Sequence, residues 1–184
     1  MLLQYETQRL ILKIIGPDYA RDVLQFYLDD KELFEKYETD RSPNFYTESH
    51  QQNILQVEYR LALKMQQIRF YVFLKEKPEQ LIGTVCLYQV STIYSHAELG
   101  YKFSSQFHHK GYASEAVEKL LDIGFMELHL HRITAHVQEN NIPSIRLLDN
   151  LGFEKEGICR DYLYLHGAWT NHIQYSLITP VFDL

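Results

Sequence analysis

"HAELGYKFSSQFHHKGYASEAVEKLL", residues 96–121, is the stretch on which the fold turns. Its first eight residues, 96–103, read as a strand, and the chain after Gly111 reads as the clearest helix in the molecule. Ala113, Ala116, Val117, Leu120, Leu121, Gly124, Phe125 and Leu128 recur along one stripe, with Ser114, Glu118, Lys119 and Asp122 largely opposite. One face of that helix is therefore expected to lie against a sheet. Between strand and helix sits a loop with His108, His109, Lys110 and a lone glycine, Gly111. Glycine permits close backbone approach, and a helix start presents unpaired N–H groups at the positive end of its dipole. Such a turn binds phosphate oxygens. A glycine before a helix is also a common plain loop, so the flanking sequence has to choose between the two.

Upstream, "TQRLILKII" (7–15) is rich in leucine and β-branched residues and ends at Gly16-Pro17, which predicts a first strand closed by a turn. From Asp18 the spacing of Leu24, Tyr27, Leu28 and Phe34 predicts a helical region that closes with "DDKELFEKY" before Ser42-Pro43-Asn44. Thr47 opens a second helix over 48–67, with Ile54, Val57, Leu61 and Met65 on one side. "RFYVFLK" (69–75) and "QLIGTVCLYQV" (80–90) are strands flanking the turn "EKPEQ".

Downstream, "RITAHV" (132–137) alternates Ile133, Ala135 and Val137 with Arg132, Thr134 and His136, a strand with one more apolar face. Asn141 caps a short helix over 142–151, Pro143 falls in its first turn, and Gly152 stops it. "GICRDYLYL" and "AWTNHIQYSLI" pair as a last hairpin around His166-Gly167. The order is strand, two helices, three antiparallel-looking strands, helix, strand, helix, hairpin. That is one mixed α/β or α+β layer structure, expected as a single domain over residues 1–184.

At 184 residues and 46% hydrophobic, the chain is long enough to bury about 70% of its unfolded surface. A net charge of −6 argues against a nucleic-acid binder, which needs a basic face, and suits a cationic or amine-bearing partner. Cys86 and Cys159 have no CxxC spacing, so neither a disulfide framework nor a zinc site is expected, and no metal. The opening "MLLQYETQRLILKI" lacks the features of a signal peptide, and no apolar run is long enough for a bilayer. The expectation is a soluble, cytoplasmic protein without a membrane partner.

With these pieces in order, a family resemblance emerges. "HHKGYASEA" resembles the acetyl-CoA pyrophosphate loop of the GNAT N-acetyltransferase superfamily, Gln/Arg-x-x-Gly-x-Gly/Ala, with His108, Gly111 and Ala113 at its three positions. "ENNIPSIRLLDNLGFEKEG" is similar to the family's Asn-x-x-Ser followed by Leu-Gly-Phe. "ETQRLILK", "AELGY" and "YLHGAWTNHIQYSLI" look like the branch that acetylates ribosomal-protein N-termini. The match spans nearly the whole chain in the right order. One departure stands out: His108 replaces Gln or Arg, which bears on cofactor affinity, with His109 and Lys110 alongside.

The resemblance implies a mostly antiparallel sheet, splayed around the cofactor and flanked by helices, that uses acetyl-CoA as co-substrate. The backbone of Tyr101, Lys102 and Phe103 would pair with the pantetheine amides. The loop through His108, His109, Lys110, Gly111, Tyr112, Ala113 and Ser114 would hold the pyrophosphate. Asn141 would contact the arm, Arg146 a CoA phosphate, and Ser144 would sit near the sulfur. The implied reaction is direct acetyl transfer, in a ternary complex, to a primary amine at a protein or peptide N-terminus. A small amine (polyamine or aminoglycoside) and a non-catalytic acyl-CoA-binding module are the alternatives. A homodimer through an exposed strand edge is compatible with the sequence.

The chemistry makes its own demands. The amine must lose a proton, the oxyanion wants a donor, and the thiolate wants a proton. Glu98 is the candidate base, directly or through a water; the other reading is a strand residue paired with Lys102 or Lys13. Ser144 is the candidate donor to the thiolate, or else a hydroxyl satisfying the helix start. A backbone N–H near Leu99 or Gly100 is the candidate oxyanion donor. His129 and His131, flanking Leu130, form a metal pair or, with no third ligand of clear spacing, are solvated junction histidines, the favoured reading; His136 lines the substrate side or, the favoured reading, is a satisfied surface histidine. Tyr162, Tyr164 and Trp169 shape an acceptor pocket or simply pack on the sheet. Asp29, Asp30, Glu32, Glu35 and Glu38 attract a cationic acceptor or, as charge runs more often do, form a solvated helix face.

Overall fold

The computed structural model describes residues 1–179. Its strands are β1 (Gln4–Glu6), β2 (Leu10–Lys13), β3 (Ile68–Leu74), β4 (Lys77–Ser91), β5 (His96–Phe103), β6 (Arg132–Gln138), β7 (Glu154–Leu165) and β8 (Ala168–Ile178). They form one sheet in the order β1-β2-β3-β4-β5-β6-β8-β7, antiparallel except where β5 meets β6. The helices are α1 (Ala20–Asp29), α2 (Lys31–Glu35), α3 (Glu48–Leu63), α4 (Tyr112–Asp122) and α5 (Ile142–Asn150). This is the expected mixed, mostly antiparallel sheet flanked by helices.

Alternation along the strands divides the core between the two faces of the sheet. Leu10, Leu12, Phe70 and Val72 share one buried cluster with Ala116, Val117 and Leu120 of α4 and Leu148 of α5. Their neighbours Ile11, Tyr71 and Phe73 turn the other way, onto Val23, Phe26 and Phe34 of α1 and α2 and Leu55 of α3. Because both faces of β2 and β3 are covered, these strands read as continuous apolar runs. The stripe predicted for α4 is the one it buries, and Ile133, Ala135 and Val137 are buried on β6 as its alternation requires.

Four local expectations need correction. Residues 7–15 are not one strand: the chain turns at 7–9, where Thr7 N–H donates to the Leu10 carbonyl (3.0 Å), and β1 folds back on β2. The helical region from Asp18 breaks at Asp30, whose carboxylate leaves the helix to accept a hydrogen bond from Ser105 N–H at 3.1 Å. The second helix ends at Leu63, and its buried side is Gln51, Leu55 and Ala62; Val57 is 52% exposed and Met65 45%. Gln51 explains that rotation, since its amide donates to the Phe45 carbonyl at 2.6 Å, a polar core contact that apolar spacing does not reveal. Finally, β4 already starts at Lys77, inside the predicted turn, and bulges on β3 absorb the difference.

Candidate active site

The site begins with a failure of pairing. β5 is hydrogen-bonded to β4 along its length, but to β6 only where His96–Glu98 meets Arg132–Thr134. Beyond Glu98 the two strands part. Ser104 N–H donates to the Ile82 carbonyl (2.9 Å), and alternation then turns the backbone groups of Tyr101 and Phe103 toward the opening and those of Lys102 toward Thr84 on β4. A cleft of about 630 Å³ adjoins this edge. Tyr101, Lys102, Phe103, His108, His109, Gly111, Tyr112, Ala113, Ser114, Asn141, Ser144 and Arg146 line it; Glu98 and Lys110 are not among its walls.

The loop at the cleft is held open by residues from far away in the chain. Gly111 has φ +78°, the left-handed region that glycine enters without penalty, and no side chain caps the start of α4. The N–H groups of its first turn therefore face the cleft without a side-chain acceptor. Glu115, the acidic residue of that turn, accepts from Thr7 Oγ1 (2.6 Å), Arg9 N (2.8 Å) and Arg9 Nε (2.6 Å). Partial burial works against its charge, but these hydrogen bonds prevail and hold the carboxyl below the usual range. Arg9 also donates Nη1 to the Lys110 carbonyl (2.9 Å) and lies 4.5 Å over the Tyr112 ring. His108 Nε2 lies 3.0 Å from the Phe103 carbonyl, so this nitrogen carries the proton and ties loop to strand. Asp30 fixes the turn between them; against the penalty of its burial, bonds from Ser105 and Ser104 keep its carboxyl below the usual range.

Different groups stand on the two sides of the sheet where the strands part. On the α4–α5 side, the Tyr101 and Ser144 hydroxyls share a 2.6 Å hydrogen bond, and burial pushes the Tyr101 phenol up to about 12. Asn141 caps α5, accepting from Ser144 N–H at 3.3 Å. On the other side, Glu98 Oε1 meets His136 Nδ1 at 3.0 Å, not a lysine. The Tyr162 ring stacks on His136 with centroids 4.4 Å apart. Next along β5, Gly100 leaves room for the Tyr88 ring; a Cβ there would fall 2.4 Å from Tyr88 Cε2. Lys102 sends its ammonium to Glu38, which also binds Arg41, and the two cations overcome the cost of burial to hold Glu38 below the usual carboxylate range.

The acidic run is a solvated face only in part: Asp29 and Glu32 are exposed, whereas Asp30 holds Ser105, Glu38 binds Lys102 at the cleft, and Glu35 accepts from Tyr46 Oη at 2.5 Å. Tyr164 and Trp169 form an exposed edge-to-face pair, apart from Tyr162. Among the described residues no group of His, Cys, Asp or Glu is arranged to hold a metal ion, and no helix is long and apolar enough to cross a membrane. Sequence reasoning missed Arg9 and Thr7 as supports of the loop, and it set His136 between the substrate side and the surface without its pairing to Glu98. Arg9 and Glu115 lie 106 positions apart, a pairing with no local signature.

Comparison with known proteins supplies the remaining evidence. Residues 9–154 match the model of an acetyltransferase (GNAT) domain. An uncharacterized N-acetyltransferase p20 of Bacillus licheniformis is 39% identical over 172 residues, 94% of each chain. The [ribosomal protein uS5]-alanine N-acetyltransferase of Escherichia coli is 29% identical over 177 residues, covering 95% of this chain and 90% of its own. The crystal structure of a ribosomal-protein-S5-alanine acetyltransferase from Vibrio fischeri superposes with a TM-score of 0.90 at 28% identity, over 96% of this chain and 97% of that one.

Proposed function

The chain belongs to the GNAT acetyltransferase family, an acetyl-CoA-dependent N-acetyltransferase, and from that premise we propose that its acceptor is the N-terminal amine of a protein or peptide. The observation that carries this reading is the near end-to-end likeness, in sequence and in fold, to enzymes named as ribosomal-protein alanine acetyltransferases.

The residues fit acetyl-CoA. The uncapped start of α4 with left-handed Gly111 suits a pyrophosphate, which needs convergent N–H donors. The open edge suits an arm carrying amides: Tyr101 offers a donor and an acceptor and Phe103 a donor, its carbonyl being held by His108. His109, Lys110, Tyr112, Ala113 and Ser114 complete the loop's role; Asn141 and Arg146 contact the arm and a phosphate, and Lys102 acts through its place on the strand. His108 serves here by bracing the loop, which accounts for a histidine at the departing position.

Ser144 supplies the thiolate's proton. With Tyr101 as donor in their shared bond, the serine proton is free to point at sulfur. Glu98 belongs to the deprotonation of the amine, on the opposite side of the sheet. The test is thiol release from acetyl-CoA against N-terminal peptides, polyamines and aminoglycosides, with cofactor binding followed in the same samples. Turnover with peptides is the expected result. Turnover confined to polyamines or aminoglycosides replaces the acceptor, and binding without turnover on any amine supports the acyl-CoA-binding module instead.

A further inference from the structure

The hydroxyls of Tyr101 and Ser144 are joined across 43 positions of sequence by a 2.6 Å hydrogen bond in which either oxygen can be the donor. Both side chains line the cleft. The phenol has a second acceptor on the same residue, the Ser144 carbonyl, at 3.3 Å. The Ser144 hydroxyl has no hydrogen-bond partner other than Tyr101 among the described residues. The backbone on each side of the pair is fixed: Asn141 Oδ1 accepts from Ser144 N–H at 3.3 Å, and Tyr101 stands on β5 opposite Val85 of β4.

Two protons and three oxygens allow two arrangements. In the first, Ser144 Oγ–H donates to Tyr101 Oη and the phenol donates to the Ser144 carbonyl, so each proton is satisfied within the pair. In the second, the phenol donates to Ser144 Oγ and the serine proton points out of the pair. The heavy atoms are the same in both, and only two O–H rotors turn.

We propose that Tyr101 is a positioning residue that holds Ser144 in the first arrangement while the thioester is intact and turns it to the second as the thiolate forms. This deepens the transferase reading above and rests on its assignment of Ser144 as the donor to sulfur. A thioester sulfur is a weak acceptor, so the closed arrangement is the more stable one before reaction. As the C–S bond breaks, the electron pair left on sulfur makes it an anionic acceptor, and a charge-assisted bond outweighs the neutral one that Ser144 gives up. The phenol then swings from the carbonyl to Oγ, which polarises the serine hydroxyl toward sulfur. Of the three protons on the entering ammonium, one leaves before attack and ends in solvent, and one stays on the amide nitrogen. The third, shed once the C–N bond has formed, replaces the proton that Ser144 passes to sulfur. Ammonium and acetyl-CoA thus become amide, free thiol and one released proton.

The neighbouring donors of the cleft are engaged elsewhere. Lys102, one residue along β5, is bound to Glu38, and His108 gives its Nε2 proton to the Phe103 carbonyl. Burial pushes the Tyr101 phenol up to about 12 against the hydrogen bond from Ser144, so it remains a neutral donor throughout the reaction.

The test is a cycle of Tyr101→Phe, Ser144→Ala and the double variant, read as kcat and KM with a peptide acceptor and as the acetyl-CoA Kd by calorimetry. Phenylalanine keeps the ring and removes only the hydroxyl. Ser144→Ala should lower kcat about 100-fold, within the usual range for a general acid. Tyr101→Phe should lower it about tenfold, the scale of one hydrogen bond, with KM and Kd unchanged, because a serine without the phenol turns its proton to a carbonyl of its own helix. In the Ser144→Ala background, Tyr101→Phe should add no further loss. A full additional loss there of about tenfold makes Tyr101 a donor in its own right and overturns the proposal, and so does a loss below about twofold when Ser144 is present. A wild-type kcat in Ser144→Ala overturns the proposal together with the role of Ser144. A second readout needs no acceptor. The thiol of bound CoA, followed by its ultraviolet thiolate absorbance, should ionise at lower pH than that of free CoA, since donation to the thiolate favours the charged form. Tyr101→Phe should move this ionisation back up toward the free value. An ionisation indifferent to Tyr101→Phe overturns the positioning role, even where no amine tested is turned over.

Discussion

The loop at residues 108–114, which lines the cleft, and the strand face around His136, where β5 and β6 part, are made of different materials. The loop offers backbone N–H groups, and the side chains around it hold that backbone: Arg9 and Thr7 bind Glu115, the loop's own His108 binds the Phe103 carbonyl, and Asp30 binds Ser105. The strand face offers side chains, Glu98, His136, Tyr162 and Gln174, mounted on rigid ladders. The difference teaches where each function is vulnerable. A side that reads its ligand with backbone is damaged by changes in conformation, and a side that works with side chains is damaged by changes in chemistry.

The sharpest way to break that contrast is Gly111→Glu. A side chain at φ +78° costs about 1–2 kcal/mol, and its charge would repel the phosphates, so the acetyl-CoA Kd should rise about 100-fold by calorimetry. An unchanged Kd would remove the loop from the cofactor site. Arg9→Ala comes next: it touches no ligand in this reading, yet should raise Kd about tenfold, or about 1.4 kcal/mol, by releasing Glu115, Lys110 and Tyr112 together. Arg9→Lys should not restore binding, because an ammonium cannot supply the guanidinium's several directed donors.

The two regions should also answer pH with opposite sign. Glu115 and Asp30 have carboxyls held below their unfolded values, so their stabilisation is complete above ~4 and is lost as pH falls through the lower folded values. His136 is raised, so the stabilisation from its pairing with Glu98 is complete below ~6.5 and is lost as pH rises through the higher folded value. In thermal melts, the gap between wild type and Arg9→Ala should close on acidification, and that between wild type and His136→Gln on alkalinisation. Both closing in the same direction would erase the contrast. The smallest effect belongs to Trp169→Ala, 62% exposed and away from both regions, which should shift stability by less than about 0.5 kcal/mol.

What could be read in the sequence follows the range of the interactions. The stripe of α4, the alternation of β6 and the caps of α5 are local periodicities and local hydrogen bonds, and the structure has all three where they were expected. The left-handed turn at Gly111 was legible as a turn because glycine precedes the helix, but its reading as a phosphate loop came from the flanking segments that carry the family resemblance. The stripe of α3 was misread because a buried glutamine, Gln51, set the helix's rotation. The Glu98–His136 pair joins two parallel strands 38 positions apart, and nothing in either strand states that they are neighbours. The family resemblance singled out the loop, and the chemistry named Glu98 and Ser144; what waited for the fold is which side chains they meet, His136 and Tyr101.

The short contact between β5 and β6 has a consequence for solvent. Tyr101 and Phe103 lie well inside an eight-stranded sheet, where amides ordinarily exchange their hydrogens only as slowly as the protein opens. Their N–H groups face the opening, with no strand opposite, so in the free protein they should exchange far faster than the neighbouring Lys102 amide, which points at β4. In deuterated buffer β5 should therefore label at alternate residues, and acetyl-CoA should erase that pattern by supplying the partner that the sheet leaves out.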